Sequence, residues 1–448
     1  MEGIGLSCTE NIFICYFIFI VYFILIILYT EITYMQMINF KHTKNVSILA
    51  LGAESAGNFS IYLSHPYHSL LNKERCLIVE TERSNGKIYF SKDFGDLLEE
   101  TNWKKYQKKV LSYLKDNKIK PEIILTDLHP LYKTTVWGKE LAKKYNAKHI
   151  SIQHHFAHIF SAIGDKLINY PNHQLPITNY GIAMDGTGFG TDEKIWGGEI
   201  FQVESRKNKA ESIKRIGHLE NQVMIGGDLA VREPARIVLS ILNKFMDKIS
   251  IYQYMEKFYT SNQFELIYNQ LQQNFNCLET SSIGRVLDAV SILLGFCGNV
   301  RKYKHEPIDL LEKNSTLPYS DLKPKIIFDE KEKKHILLTT PLFEYLLKNI
   351  KKDKRRLAAT AQFYIAEGLY EILLKCHPEF ISGSKKMPKP AYWTSRQVRH
   401  DNFFISGGIA NNKIISSFLE SKGVYGSKLT PRGDAGISFG QIIYHLFN

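Results

Sequence analysis

Hydrophobic and polar positions along this chain switch repeatedly between the strand period and the helix period. VSILALGAE (46–54) is an apolar run ending in a turn, which predicts a buried strand, and NFSIYL (58–63) predicts its return strand. WKKYQKKVLSYLKDN (103–117) carries apolar residues at helical spacing. PEIILTDLHP (121–130) reads as a strand ending in a polar cluster, TTVWGKELAKKYN (134–146) as a helix and AKHISIQ (147–153) as a strand. Ile152, Phe156, Ile159, Phe160 and Ile163 then place the start of another helix near Gln153.

A second unit opens in the same way. NYGIAMDGTGFG (179–190) predicts a strand running into a glycine-rich turn, with IWGGEIFQVE (195–204) as its return strand. Residues 230–300 and 340–376 are mainly helical in pattern, and FFISGGIANNKIISSFLESKG (403–423) returns to strand, glycine turn and helix. The repeated opening predicts an internally duplicated α/β fold with two lobes, residues 46–175 and 176–448. His377 to Arg399 is basic and aperiodic, which predicts a surface insertion. Residues 1–45 form a leader, and its stretch from Ile12 to Tyr29 is apolar and uncharged, at the lower limit for a membrane span. No basic segment precedes it, and Met35 and Met37 lie just before the first globular strand. A membrane anchor and a mis-assigned start codon are equal readings.

Composition adds little to this picture. The 448 residues suffice for two or three domains. The net charge of +12 permits an anionic ligand, nucleic acid or an acidic partner without requiring any of them. KKDKRR (351–356) and SKKMPKP (384–390) read as solvated runs. Cys8, Cys15, Cys76, Cys277, Cys297 and Cys376 are scattered with no C-x-x-C, against a zinc ribbon or a disulfide framework and in favour of a reducing interior compartment.

Candidate chemistry sits at the strand ends. His154 and His158 are one helical turn apart on one face, the spacing at which two imidazoles reach one metal ion, although a lone pair of this kind is more often made of surface or core histidines. DGTGFGTD (185–192) puts Asp185 at a strand end, with Gly186, Thr187 and Gly188 able to turn backbone N–H groups and a hydroxyl toward an oxyanion. By itself the same stretch is more often a hairpin than a phosphate site. ISGGIANN (405–412) offers glycines for a flat nucleoside and Asn411 or Asn412 near a helix start. TPRGDAGISFGQ (430–441) sets Asp434 in a glycine-flanked loop, where a carboxylate beside two histidines would complete a metal set. GGDLAVREPAR (226–236) adds Gly226, Gly227 and Asp228 before a helix, while Arg232 and Arg236 suit phosphate or local acids.

Read in order, GAE (52–54), GDL (95–97), DLHPLY (127–132), QHHFAH (153–158), MDGTGFG (184–190), IWGGE (195–199), GGDLAVREPAR (226–236), TSSIGRVLDAV (280–290), SGGIANN (406–412) and GDAGISFGQ (433–441) resemble the transferase module of the HypF carbamoyltransferases, which mature nickel–iron hydrogenases. The resemblance covers nearly all of residues 46–448. It implies the two-lobed α/β fold of actin, hexokinase and the Hsp70 ATPases, with duplicated RNase H-like lobes. It also implies transfer of a carbamoyl group from a carbamoyl-adenylate to a cysteine thiol of a partner protein. His154 and His158 would then hold an iron or zinc ion with Asp434 and Asp185, and His155 would lie behind them or face the substrate. Gly186, Thr187 and Gly188 would lie near the phosphate of ATP or carbamoyl-adenylate. Ser406, Gly407, Gly408 and Asn412 would lie near the nucleoside, and Gly226, Gly227 and Asp228 near its ribose. Asp185 and Asp228 are the expected catalytic carboxylates.

Departures from the family pattern carry their own expectations. Tyr303-Lys304-His305 stands where the family has Tyr-Glu-Gly, with Glu306 close enough to replace the lost carboxylate, and Ala56 stands where the family has lysine. The family's adenylate-forming domain finds no match, so a separate adenylate-forming enzyme is an expected partner, beside an acceptor protein with a reactive cysteine. Nucleic acid is not an expected partner. A tRNA threonylcarbamoyl transferase on the same fold is an alternative reading that DGTGFG, IWGGE and GGDLAVREPAR fit poorly. A non-catalytic scaffold is another, which Lys304 supports.

Overall fold

The computed structural model describes residues 46–64, 77–80, 86–170, 175–206, 209–377 and 402–448. The 1–45 leader, with both readings of its apolar stretch, and nearly all of the 377–399 insertion lie outside the described residues. Among the described residues no helix is long and apolar enough to cross a membrane.

The first sheet contains β1 (Ser47–Ala50), β2 (Ser60–Ser64), β3 (Leu77–Glu80), β4 (Gly86–Phe90), β5 (Ile123–Asp127) and β6 (Lys148–Ile152), in the order β3-β4-β2-β1-β5-β6. Strand β1 is buried along its whole length, which is why it reads as an unbroken apolar run. It pairs antiparallel with β2 and parallel with β5. Parallel neighbours need a crossover, and the helices Glu100–Asp116 and Lys133–Tyr145 supply it. The second of these helices stops at Asn146, which takes the left-handed conformation that ends many helices.

The second sheet contains β7 (Thr178–Phe189), β8 (Ile195–Arg206), β9 (Lys209–Leu219), β10 (Gln222–Ile225), β11 (Cys277–Thr280), β12 (Ile326–Asp329), β13 (Lys334–Leu337), β14 (Phe403–Ser406) and β15 (Tyr425–Gly426). Its main path is β12-β13-β9-β8-β7-β14-β15. The run β9-β8-β7-β14-β15 repeats β4-β2-β1-β5-β6, with the same succession of antiparallel and parallel pairs. The duplication read from the repeated strand openings is therefore real, and it yields the two-lobed fold with RNase H-like strand order.

The glycine-rich turn expected after residue 184 is a strand instead. Strand β7 continues to Phe189 through a register break between Met184 and Gly188, and the chain reverses only where Gly190 N–H donates to Lys194 C=O at 2.9 Å. Glycines let the strand bulge without ending it. The hairpin β12–β13 is additional to the expected elements. It lies at the sheet edge around a charged turn, and its strands are only four residues long and mostly exposed or half-buried.

Between the sheets lie two helices, the histidine helix His154–Asn169 and the C-terminal helix Ile437–Phe447. One core cluster joins Ile48 and Leu125 of the first sheet, Phe160 and Ile163, Phe439 and Ile443, and Phe201 and Phe404 of the second. The two helices touch through backbone. A Cβ added to Gly440 would lie 1.8 Å from Ala157 O. Gly440→Ala should therefore force the helices apart and cost about 2 kcal/mol or more. Gly298→Ala, where a Cβ meets nothing within 4 Å, should stay within about 0.5 kcal/mol of the parent. Denaturant midpoints of the two variants check this, and equal midpoints would refute it.

Candidate metal and nucleotide site

Gln153 caps the histidine helix, its side-chain oxygen accepting from Phe156 N–H at 2.9 Å. The first turn therefore holds still, and His154 and His158 present their rings on one face, 4.8 Å apart between centroids. Asp127, fully buried at the end of β5, accepts from His154 Nδ1 at 2.7 Å. That contact turns His154 Nε2 toward Asp185 Oδ2 at 3.2 Å and Asp434 Oδ1 at 3.6 Å. His158 Nε2 lies 3.7 Å from Asp185 Oδ2 and 3.4 Å from Asp434 Oδ1. Ser406 Oγ stands 3.4 Å from the other nitrogen of His158.

The carboxylates arrive from two further directions. Asp185 leaves β7 at its register break, and its Oδ1 accepts from Gly408 N–H at 3.3 Å. The loop leading to Asp434 is organised by Asp165, buried on the histidine helix. Its carboxylate accepts from the backbone N–H groups of Lys428, Leu429 and Thr430 at 2.9, 2.8 and 2.6 Å. Ser55, in the loop after β1, donates to Asp434 Oδ2.

The four donor atoms lie within 4.8 Å of one another. His158 Nε2 and Asp434 Oδ1 are buried without a hydrogen-bond partner. Imidazole nitrogens and carboxylate oxygens bind zinc at about 2.0–2.2 Å, so tetrahedral donor–donor edges are roughly 3.4 Å. The four imidazole–carboxylate separations, 3.2 to 3.7 Å, match, and no two donor atoms lie more than 4.8 Å apart. Two imidazoles and two carboxylates suit an iron-type or zinc-type ion, and the residues present fit one.

Electrostatics agrees with geometry. Burial pulls the His154 imidazole down, but Asp127, Asp185 and Asp434 outweigh it and hold the pKa well above the ordinary value. Burial pulls His158 down as well, but the neighbouring carboxylates of Asp185 and Asp434 outweigh it and raise its pKa. Burial raises both carboxyls, yet the two imidazoles hold Asp185 well below the ordinary value and Asp434 at about 2. His155 differs. Burial, with His154 beside it, lowers it to about 3, so it stays neutral. It packs under Gly188, where a Cβ would lie 2.4 Å from its ring, and it lies behind the donor set.

Asp185 and Asp434 also face a cavity of about 1010 Å³. Gly186, Thr187, Gly408, Asn411 and Asn412 line it. Asn412 also caps the helix Lys413–Ser421, accepting from the N–H groups of Ile414 and Ile415 at 3.1 Å. Other expected residues lie off the wall. Gly188 faces His155, and Ser406 is buried behind His158. Gly407 has φ of +106° and lies so close to Met184 O that only glycine fits there. Gly226, Gly227 and Asp228 line a neighbouring recess that shares Arg232 with the main cavity.

Several residues of this site have no role that their local sequence reveals. Asp127 lies within DLHPLY but looks like a turn residue until β5 and β6 set it behind His154. Tyr132 stacks on His129 at 4.2 Å and lines the cavity, and burial together with the nearby carboxylates pushes its phenol up, leaving a neutral O–H donor. Arg285 and Arg301 line the cavity from the second lobe.

Two predictions follow from the donor set. The chain should bind one divalent ion, and His154→Ala with His158→Ala should abolish binding, while Asp127→Asn should weaken it by about 10–100-fold. Metal analysis and chelator competition read both, and stoichiometric metal in the double variant would contradict the assignment. The second concerns pH. Raised histidines stabilise the metal-free fold fully below the unfolded imidazole value, about 6.5, and lose that contribution as pH rises through the folded value. Depressed carboxylates contribute above about 3.9 and lose it as pH falls through the folded value. The chelated chain should therefore be most stable between about pH 4 and 6.5, with zinc reversing the alkaline decline. Chelated denaturation midpoints that climb from pH 6 to 9 would refute this.

Comparison with known proteins gives the lineage. The family model for the second subdomain of the carbamoyltransferase Kae1-like domain matches residues 181–441, and the HypF Kae1-like domain matches residues 78–165. A probable carbamoyltransferase HypF of Methanocaldococcus jannaschii is 33% identical over 91% of this chain and 47% of its own length. The carbamoyltransferase HypF of Rhodobacter capsulatus is 23% identical over 84% of this chain and 46% of its own. The chain thus spans about half the length of these curated relatives. Among solved structures, full-length HypF in a phosphate- and nucleotide-bound form superposes with a TM-score of 0.71 at 23% identity, covering 93% of this chain and 57% of that one. HypF of T. kodakarensis gives 0.70 at 25% identity, covering 92% and 49%. With both subdomain models matched in order across the two lobes, the chain belongs to the HypF carbamoyltransferase family.

Proposed function

We propose that this chain transfers a carbamoyl group from carbamoyl-adenylate to a cysteine thiol of a partner protein, as a step in nickel–iron hydrogenase maturation. The observation that carries the reading is that Asp185 and Asp434 belong at once to the metal-type donor set and to the wall of a cavity lined by Gly186, Thr187 and Gly408. The named relatives support carbamoyl transfer, and the nucleotide held by a HypF structure of the same fold supports an adenylate. In the reaction the thiolate attacks the carbamoyl carbon, a C–S bond forms, the bond from carbon to the phosphate oxygen breaks, and AMP leaves. His154, His158, Asp185 and Asp434 would hold a divalent ion, which when bound would supply Lewis-acid polarisation. Asp185 and Asp434, held ionised with depressed pKa values, are poor proton acceptors and serve as ligands. The Tyr132 hydroxyl offers a hydrogen bond to the ligand. Asp228, in its own recess, would act on the distant part of the ligand.

The described residues form two lobes around this cavity, and this reading assigns formation of the adenylate to a separate catalytic unit. A second reading, a non-catalytic scaffold, draws on Lys304. Its Nζ donates to Ser55 C=O at 3.2 Å, reaching across the cavity mouth to the first lobe. Glu306 does not replace the carboxylate the family has at position 304, because it is buried and accepts from Lys302 N–H.

An AMP-release assay separates the readings. Supplied carbamoyl-adenylate and a thiol acceptor should give AMP, and His154→Ala with His158→Ala should lower the rate by at least about 100-fold. Carbamoyl phosphate with ATP should give no product with this chain alone. Release no faster than in the double variant, with Lys304→Glu failing to restore it, would favour the scaffold.

A further inference from the structure

On the wall of the cavity contributed by the second lobe lies a charged group that the donor set does not use. Asp288, in the helix Ile283–Leu294, is fully buried. Two guanidiniums share its Oδ2. Arg285, one turn earlier, places Nη2 at 2.9 Å, and Arg301, from the loop after the helix, meets the same oxygen. One carboxylate cannot neutralise two guanidiniums. A surplus positive charge therefore sits in side chains that are only 6% and 10% exposed. Arg285 Nε and Nη1 and Arg301 Nε have no hydrogen-bond partner although they are buried. Other acids are already engaged: Glu306 accepts from Lys302 N–H, and Asp185 faces the histidines.

Both arginines line the cavity, and both are held there. The backbone N–H of Arg285 donates to the helix-capping Ser282 Oγ at 3.1 Å, and that hydroxyl donates to Gly186 C=O, which ties the start of the arginine's helix to the backbone at Gly186. A Cβ on Gly186 would lie 3.7 Å from Arg285 Nη2, so the guanidinium lies beside the loop expected near a phosphate. Arg301 Nη1 donates to Lys304 C=O at 2.7 Å, which ties this group to the cavity mouth.

We propose that Arg285 and Arg301, held apart by Asp288, form an oxyanion clamp that takes a phosphoryl group of the ligand in this cavity. A planar guanidinium matches phosphate geometry, and a site already charged and desolvated pays little to receive an anion. The phosphoryl group belongs either to a nucleotide, a link that rests on the adenylate reading above, or to a free phosphate species. Binding alone tests the clamp, so failure of carbamoyl transfer leaves the result standing.

The experiment titrates AMP, inorganic phosphate and adenosine into the zinc-loaded full chain by calorimetry. Wild type is compared with Arg301→Gln and Arg301→Lys. Arg301→Gln keeps the Arg285–Asp288 pair and so protects the fold; should it fail to fold, Arg301→Lys carries the comparison. AMP affinity should fall by at least about tenfold in Arg301→Gln and recover in part in Arg301→Lys, with adenosine bound equally by all three. Arg301-dependent phosphate binding that AMP displaces assigns the clamp to a nucleotide phosphate. Arg301-dependent phosphate binding that AMP leaves in place assigns it to a free phosphate species. If AMP and phosphate bind the folded variants as they bind wild type, or if neither binds wild type, the clamp is wrong.

Discussion

Where Gly440 crosses Ala157, two helix backbones meet with no side chain between them. Much of the site depends on that crossing. It presses the C-terminal helix onto the histidine helix, one turn from His154 and His158, and so brings the loop that begins the C-terminal helix over the imidazoles. Asp434 sits in that loop. Asp165 secures the same approach from the other side, spending a buried carboxylate on the backbone of residues 428–430. A buried carboxylate is tolerated only when its oxygens are fully engaged, and here the engagement fixes the path of the loop. Packing and hydrogen bonding act together to aim one carboxylate.

Charge explains why the two walls of the cavity look different. On one wall, two acids meet two histidines that can take up protons or give them up to an ion, so the group stays near neutrality. On the other, two arginines face one acid and cannot adjust. The fold thus places an adaptable cluster opposite a fixed cationic one, with glycine-bounded backbone at Gly186 and Gly408 between them. A ligand carrying both an electrophilic carbon and an anionic group suits such a pair of walls.

The sequence made the duplication and the donor set legible because both leave local marks. A buried strand is an apolar run, and His154 with His158 is a spacing on one helix. Asp434 was legible through its glycine-flanked loop. Asp127 was not, since its role exists only once β5 and β6 lie side by side. Arg301 was hidden for a similar reason. It meets Arg285 across a helix and a loop, and no periodicity connects them. Ser406 and Gly407 misled in the opposite direction: a strand followed by glycines looks like a ligand turn, yet packing against His158 and Met184 already accounts for both residues.

The donor set draws on both halves of the molecule. Asp185 belongs to a strand of the second sheet, the histidines to a helix between the sheets, and Asp434 is held by Ser55 from the loop that follows β1. An ion coordinated by such a set is bound in full only when the lobes hold this arrangement. Linkage makes the relation reciprocal: whatever free energy the ion adds to the closed arrangement, any force that parts the lobes must subtract from the grip on the ion. Coordination chemistry and interlobe geometry are two readings of one equilibrium.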